Sequence, residues 1–131
     1  MPESSPSGRE LEILKTLWEL GRGTVREVHR RMCPRGELAF NTVQTLLRIM
    51  DEKGLVAHQQ RGRTFVYLPR YSRERATSRF LNQVFDGALD QVVVSMLSTT
   101  DASPEELRQL EKIISQARRQ KQQQRQGKKE P

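Results

Sequence analysis

The sequence predicts a mainly α-helical protein with one small β-hairpin, because two residue periods follow each other along its 131 residues. Apolar residues recur at helical spacing in three short segments before Gly54, and each segment has a recognisable start or stop signal. Residues 55–69 are instead rich in β-branched and aromatic side chains around a glycine, which is typical of two strands and a turn. Helical spacing returns after Pro69 and continues to Ala117.

The first two predicted helices begin at capping boxes. In this motif a Ser or Thr side chain and a Glu three residues later each accept a hydrogen bond from a free backbone amide. Ser7 with Glu10 starts the first helix, Thr24 with Glu27 starts the second, and Gly21 is expected to end the first. The residues expected to face inward are Leu11, Leu14, Leu17 and Trp18 in the first helix and Val25, Val28 and Met32 in the second.

The third predicted helix, which begins in the stretch NTVQTLLR, has an apolar face and a polar face. Asn41 or Thr42 is expected to cap its start, and Gly54 is expected to end it. The inward stripe repeats at positions three and four apart and consists of Val43, Leu46, Leu47 and Met50. The candidate functional residues on the outward side are Asn41, Thr42, Gln44, Thr45 and Arg48.

The predicted hairpin has a basic turn. Gly62 supplies the permissive turn position, and Pro69 ends the second strand because it cannot continue the ladder. Arg61 and Arg63 flank the glycine. Two guanidinium groups at a hairpin tip are suited to clamping phosphates or entering a DNA minor groove.

Three short helices followed by a hairpin with a basic tip is the order of winged helix-turn-helix proteins, whose third helix enters the DNA major groove. The net charge of +7 is concentrated, since residues 22–79 contain 13 basic and 5 acidic side chains. We therefore expect double-stranded DNA as the partner. Two alternatives stay open: the polar and basic residues form only a solvated surface, or the winged helix binds protein and touches nucleic acid nonspecifically.

Two stretches, NTVQTLLRIMDEKGLV and RGRTFVYLP, resemble the penicillinase-repressor family (BlaI/MecI/CopY) of bacterial regulators. The first helix, LEILKTLW, also resembles that of the family, and the likeness runs from about Leu11 to Ile114. The matching motif residues are Thr42, Val43, Thr45, Leu46, Lys53, Gly54, Gly62, Arg63, Tyr67 and Pro69.

The resemblance implies a homodimeric transcriptional repressor on a palindromic operator, with the polar face of the third helix at the DNA. The resemblance also suggests a regulatory protease as a partner, because some members of the family are inactivated by cleavage of an Asn-Phe bond in the dimerisation helices. The matching position here is Ser95-Met96, so the cleavage dipeptide is missing. The copper-responsive branch has a C-terminal cluster of cysteines, and this chain has no cysteine after Cys33.

Three further helices are predicted after Pro69, with Gly87 separating the first two and a capping box at Ser103 and Glu106 starting the last. Helices this short cannot bury both of their apolar stripes within one chain, so we expect a second copy to cover them. The alternative is that they fold back on the winged domain. The expected dimerisation residues are Phe80, Leu81, Val84, Phe85, Leu89, Val92, Val93, Met96, Leu107, Leu110 and Ile114.

The expected domains are a winged DNA-binding domain at 7–70, a helical dimerisation region at 71–117 and a basic, Gln-rich tail at 118–131. No apolar residue follows Ala117, so the tail is expected to be disordered. Its positive charge would either add nonspecific DNA affinity or serve only solubility.

Several other functions are not expected from this sequence. The longest apolar run, from Val92 to Leu97, is too short to span a membrane, and the N-terminus lacks a signal-peptide pattern, which favours a cytoplasmic protein. The single Cys33 excludes an internal disulfide, and His29 and His58 have no metal-ligating neighbours at suitable spacing. No cofactor, metal site or catalytic residue is expected, and the protein is not expected to be an enzyme.

Overall fold

The computed structural model describes residues 5–129, which form six α-helices and three β-strands and confirm the predicted fold class. Two compact units divide between Val84 and Phe85. The boundary that was predicted at residue 70 lies earlier in the chain than this division. Ala76, which lies between the two positions, packs against the core of the first unit. The elements in chain order are α1 (Gly8–Leu20), β1 (Gly23–Thr24), α2 (Val25–Met32), α3 (Phe40–Lys53), β2 (Val56–Arg61), β3 (Thr64–Pro69), α4 (Arg73–Phe85), α5 (Leu89–Thr99) and α6 (Pro104–Lys129).

A single hydrophobic core joins α1, α2, α3 and the sheet in the first unit. Leu11 was expected to face inward but is 38% exposed, whereas Ile13 is fully buried. The reason is that the buried stripe of α1 follows positions 10, 13, 14 and 17, which are three and four residues apart. The core residues are Ile13, Leu14, Leu17, Val28, Val43, Leu47, Met50, Leu55, Val56, Tyr67 and Tyr71.

The capping boxes predicted for α1 and α2 are both confirmed, with Ser7 and Glu10 in the first and Thr24 and Glu27 in the second. The start predicted for α3 is wrong. The helix begins at Phe40, and its N-cap is Ala39, which has extended backbone angles and no side-chain hydrogen bond. The Ala39 carbonyl accepts hydrogen bonds from the backbone amides of residues 42 and 43. The helical hydrogen bonds therefore start before the first polar side chain that could cap the helix.

The hairpin belongs to a three-stranded antiparallel sheet with the order β1-β3-β2. β1 was not predicted, because two residues are too few to show a period. Gly23 and Thr24 pair with Tyr67 and Val66, and this pairing ties the start of α2 to the second hairpin strand. Gly62 has a φ of +64°, a conformation that favours glycine, and therefore makes the tight turn between β2 and β3.

The second unit contains α5 and α6. The predicted break near Gly87 is confirmed, since Asp86 and Gly87 both have positive φ angles between α4 and α5. The tail after residue 117 was predicted to be disordered, whereas α6 continues to Lys129. Gln, Lys and Arg are good helix formers, and neither Pro nor Gly interrupts residues 105–126. Residues 130 and 131 of the predicted tail lie outside the described part of the chain. No described helix is long and apolar enough to cross a membrane.

Candidate nucleic-acid interface

One side of α3 is anchored in the core and the other is in solvent. Val43, Leu47 and Met50 are completely buried. The helix therefore cannot rotate without exposing this stripe, and its outward face is held at a fixed angle. All five candidate residues on that outward face are exposed: Asn41, Thr42, Gln44, Thr45 and Arg48.

The loop that leads into α3 is fixed by His29. Its Nε2 atom donates a hydrogen bond to the Leu38 carbonyl at 2.7 Å, because a carbonyl oxygen can only accept. The same ring makes an edge contact with Phe40, with 5.8 Å between ring centroids. Cys33 is also buried nearby in the chain, at the C-cap of α2. His29 therefore has a packing role that sets where α3 begins, and Cys33 is a buried residue at the end of α2.

Two open depressions lie between α3 and the sheet, and Gln44 lines both of them. One, of about 610 Å³, also contains Arg63, and the other, of about 530 Å³, contains Thr45 and Arg48. The structure thus brings four of the predicted site residues around one groove. Asn41, Thr42 and Arg61 are exposed but do not line it.

The tip of the hairpin presents both predicted arginines to solvent. Arg61 pairs with Thr64 at the end of the ladder, so residues 62 and 63 make the turn. The Gln60 side-chain amide donates to the Gly62 carbonyl at 3.3 Å and supports this turn. Arg61 and Arg63 are both exposed, on either side of the glycine.

A contact between α3 and β2 was missed by the sequence analysis. The Asp51 carboxylate forms a hydrogen bond with Nδ1 of His58, and the His58 ring stacks on Phe65 with centroids 4.4 Å apart. Asp51 lies seven residues after Gln44, hence two helical turns along the same face. That spacing was the available signal, but a period alone does not show which strand residue meets the carboxylate.

The electrostatics of this contact act on the neighbouring Tyr67. Burial raises the pKa of the Tyr67 phenol, the Asp51 carboxylate raises it further, and the Arg48 guanidinium partly opposes this. The phenol is therefore neutral at physiological pH. It forms an uncharged floor for both depressions.

Two aromatic side chains on the same surface were also not predicted as site residues. Phe40 is 40% exposed at the first position of α3, and Phe65 is 41% exposed on β3. With Arg26 they line the larger depression beside Gln44. Exposed aromatic rings next to guanidinium groups are compatible with contacts to sugars, thymine methyl groups or protein side chains.

The helices that follow the hairpin, α4, α5 and α6, have exposed apolar residues. Of the residues predicted for dimerisation, Val92 is buried, and Leu81 and Phe85 are partly buried. Three residues absent from the prediction, Val94, Leu97 and Ile113, are exposed as well. The predicted residues that are exposed are Phe80, Val84, Leu89, Val93, Met96, Leu107, Leu110 and Ile114.

Three helices, a hairpin and a short third strand that pairs with it make the first unit a winged helix-turn-helix. Its exposed third helix and basic wing are features of winged-helix transcription regulators. The chain belongs to the penicillinase repressor family, whose sequence profile matches residues 6–116.

Several individual proteins are similar to this chain. The chain is 29% identical over 119 residues to the penicillinase repressor of Bacillus licheniformis, covering 88% of this chain and 93% of that protein. It is 19% identical over 113 residues to the methicillin resistance regulatory protein MecI of Staphylococcus aureus strain N315, covering 83% and 92%. A solution structure of B. licheniformis BlaI in monomeric form with the blaP half-operator is 29% identical, covers 56% of this chain and 89% of that one, and has a TM-score of 0.48.

Proposed function

We propose that this protein is a sequence-specific, DNA-binding transcriptional repressor that acts as a homodimer on a palindromic operator. The observation that carries the proposal is the exposed polar face of α3 beside a basic wing, in a member of a repressor family. No ligand is needed to form this face, because α3 is anchored by fully buried residues of its own chain.

Base recognition is assigned to the outward face of α3. A B-DNA major groove accepts one α-helix, and its base edges carry a distinct pattern of donors and acceptors. Gln44 is central in the groove between α3 and the sheet, and its amide is able to pair with an adenine edge. Arg48, one turn later, would contact a guanine or a phosphate, and Thr45 a phosphate or a thymine methyl group. Asn41 and Thr42, in the first turn, would complete the contact surface.

Phosphate contacts are assigned to the wing. Arg61 and Arg63 are exposed at a hairpin tip and are able to bind phosphates or enter the minor groove. Each phosphate neutralised releases condensed counterions, so these contacts would strengthen binding to every sequence and make it dependent on salt.

The apolar faces of α4, α5 and α6 support the homodimer. Leu89, Val94 and Ile114 are each more than half exposed in the single chain, and large apolar patches on a soluble protein mark interaction surfaces. A second copy is the proposed occupant, because a two-fold axis places identical faces against each other. The same axis relates two copies of α3, so the operator is expected to be palindromic with half-sites about one or more helical turns apart.

The proposal is tested by selecting duplexes from a random library and measuring binding with competitor DNA. Gln44→Ala should relax base preference at one position of each half-site, which costs about 1–3 kcal/mol of discrimination. Arg63→Ala should weaken binding to all sequences and reduce the slope of log affinity against log salt by about one per protomer. Arg9→Ala is the matched control, since Arg9 is an exposed arginine paired with Glu12 on α1.

One observation favours a second candidate function, a winged-helix module that binds protein. Phe40 and Phe65 are exposed on the same surface as Gln44, and aromatic residues are enriched in protein interfaces. Equal competition by random and selected DNA would favour this second function. Unchanged selectivity and affinity in Gln44→Ala and Arg63→Ala would contradict the assignment of those residues.

A further inference from the structure

His58 lies in the groove between α3 and the wing. It lines the same depression as Thr45 and Arg48. His58 pairs directly with Tyr67 across the hairpin, so both side chains point to the sheet face that starts in the core at Val56. Toward the wing this face leaves the core, and the His58 side chain is 40% exposed. A DNA backbone that passes between the recognition helix and the wing would therefore meet this ring.

The Asp51 carboxylate fixes the orientation and the proton position of the ring. A carboxylate can only accept, so the hydrogen bond between Asp51 and Nδ1 of His58 places a proton on Nδ1. Nε2 is then an acceptor in the neutral ring and becomes a donor only in the imidazolium. Within residues 5–129 no hydrogen-bond partner is found for Nε2, so this atom is available to a ligand.

The groups around the ring determine how it responds to a proton. From α3, Asp51 and Glu52 contribute negative charge and Arg48 contributes positive charge. From β3, Phe65 offers its aromatic face in a stacked contact, and Tyr67 is a neutral phenol. Of these charged groups, Asp51 is the one in direct hydrogen-bond contact with the ring.

We infer that His58 is a phosphate ligand that must take up a proton before it binds. In the complex, the Nδ1 hydrogen bond goes to Asp51 and the Nε2 hydrogen bond goes to a phosphate oxygen of the DNA. The inference rests on the proposed function, since it names one more residue of the same interface. It also gives the acidic Asp51 a purpose on a surface that otherwise attracts a polyanion.

The inference predicts that DNA affinity increases as the pH falls. The neutral ring carries its one proton on Nδ1 and has no donor at Nε2, so the complex requires one more proton on the ring than the neutral form carries. Binding then takes up as much as one proton per protomer. The affinity should change by up to about tenfold per pH unit for each protomer and level off at low pH.

The experiment measures the affinity of the full chain for a selected duplex between about pH 6 and pH 8 at constant ionic strength. His58→Gln should remove most of the pH dependence and bind at every pH about as weakly as the native protein does at the upper limit. His58→Arg should bind tightly at every pH, because its charge is permanent. His29→Gln is the control for the pH slope alone: it changes the other histidine of the chain, whose ring is bonded to Leu38 in the loop before α3. Whatever it does to the affinity, it should keep the pH dependence.

Asp51→Asn separates a positioning role from simple repulsion. If Asp51 only repels DNA, its removal should raise affinity equally at every pH. If it positions the ring and stabilises the imidazolium, the variant should lose much of the pH dependence. A parallel rise in affinity with an unchanged pH slope would therefore contradict the role given to Asp51.

The outcomes also separate this inference from the proposed function. Binding of a selected duplex with no pH dependence, or a His58→Gln protein that keeps the native slope, would overturn the inference alone. Failure of the native protein to select any duplex would overturn the proposed function and the inference with it. Thermal unfolding of each variant shows whether it is folded. If His58→Gln is not folded, the pH dependence of the affinity of His58→Arg decides whether the inference holds.

Discussion

The two units of the chain differ in where their apolar side chains lie. In the winged unit, Ile13, Leu47 and Met50 are completely buried within one copy of the chain. In the helical unit, Leu89 is 67% exposed and Val94 is 61% exposed. The first unit therefore completes its core alone, whereas the second has apolar surface that a partner could cover.

The difference also extends along α6. Its exposed apolar residues end near Ile114, yet the helix continues for fifteen residues to Lys129. Arg118, Lys121 and Arg125 follow at spacings of three and four, so the same face becomes basic. Contact with an apolar partner is expected only in the first half of α6, because the second half would bring like charges together.

The largest effect is expected from a variant that places a charge on the exposed apolar face of α6. Ile114→Asp should prevent self-association, because the proposed dimer would bury two unpaired carboxylates. The expected cost is about 4 kcal/mol or more in dimerisation free energy, measured by sedimentation equilibrium. Operator affinity should fall with it, while the unfolding of the winged unit should not change.

Gln116→Asp is the matched control for this variant. Gln116 lies two residues after Ile114 and therefore about 200° around α6, on the other side of the helix. It carries the same new charge and should leave self-association intact. Equal loss of association in both variants, or in neither, would mean that this face of α6 is not the dimer contact.

A smaller effect is expected from opening the core of the winged unit. Leu47→Ala removes a fully buried side chain of α3 and should lower the free energy of unfolding by about 3 kcal/mol. Dimerisation should be unchanged. Leu11→Ala, at a leucine that is 38% exposed, should cost about 1 kcal/mol or less. Urea unfolding monitored by circular dichroism measures both, and similar losses would contradict the assignment of Leu11 to the surface.

The fold was predictable where short-range signals decide it. The starts of α1 and α2 are fixed by capping boxes, and each of these motifs spans only four residues of the sequence. Gly54 ends α3 with a left-handed C-cap, as expected. The start of α3 was not predictable from its polar residues, because Ala39 ends the preceding loop without a side-chain cap. The end of α6 was missed because the absence of apolar residues argues against burial, not against helix.

The candidate site was predictable only in part for a similar reason. Exposure of Gln44 and Arg48 follows from the helical period, since the opposite side is apolar. The Asp51–His58 contact depends on the crossing of α3 with β2 and on hairpin register, which no local pattern specifies. The pairing of Glu10 with Lys53 is of the same kind, since the partners are 43 positions apart in the sequence.

The smallest predicted effect concerns Glu10, a charged residue that is buried beside the apolar core. Glu10 is 2% exposed, and Lys53 Nζ lies 3.0 Å from its carboxylate. Burial alone would raise the pKa of the Glu10 carboxyl, but hydrogen bonds from Ser7 and the charge of Lys53 outweigh it and lower the pKa below 4.5. The ion pair therefore stabilises the fold above that value, and its contribution is lost as the pH falls through the lowered pKa.

Glu10→Gln should lower the free energy of unfolding by about 1–2 kcal/mol at neutral pH, with the share of Lys53 reduced because its side chain is 36% exposed. The difference from the native protein should decrease in acid, as the pH falls through the lowered pKa of the native Glu10 carboxyl. Urea unfolding at the two pH values measures it. Glu12→Gln makes the same change on the same helix at a carboxylate that is 54% exposed, and it should have little effect at either pH. A loss in Glu10→Gln that is as large in acid as at neutral pH would show that packing of the side chain matters at this position, and not its charge.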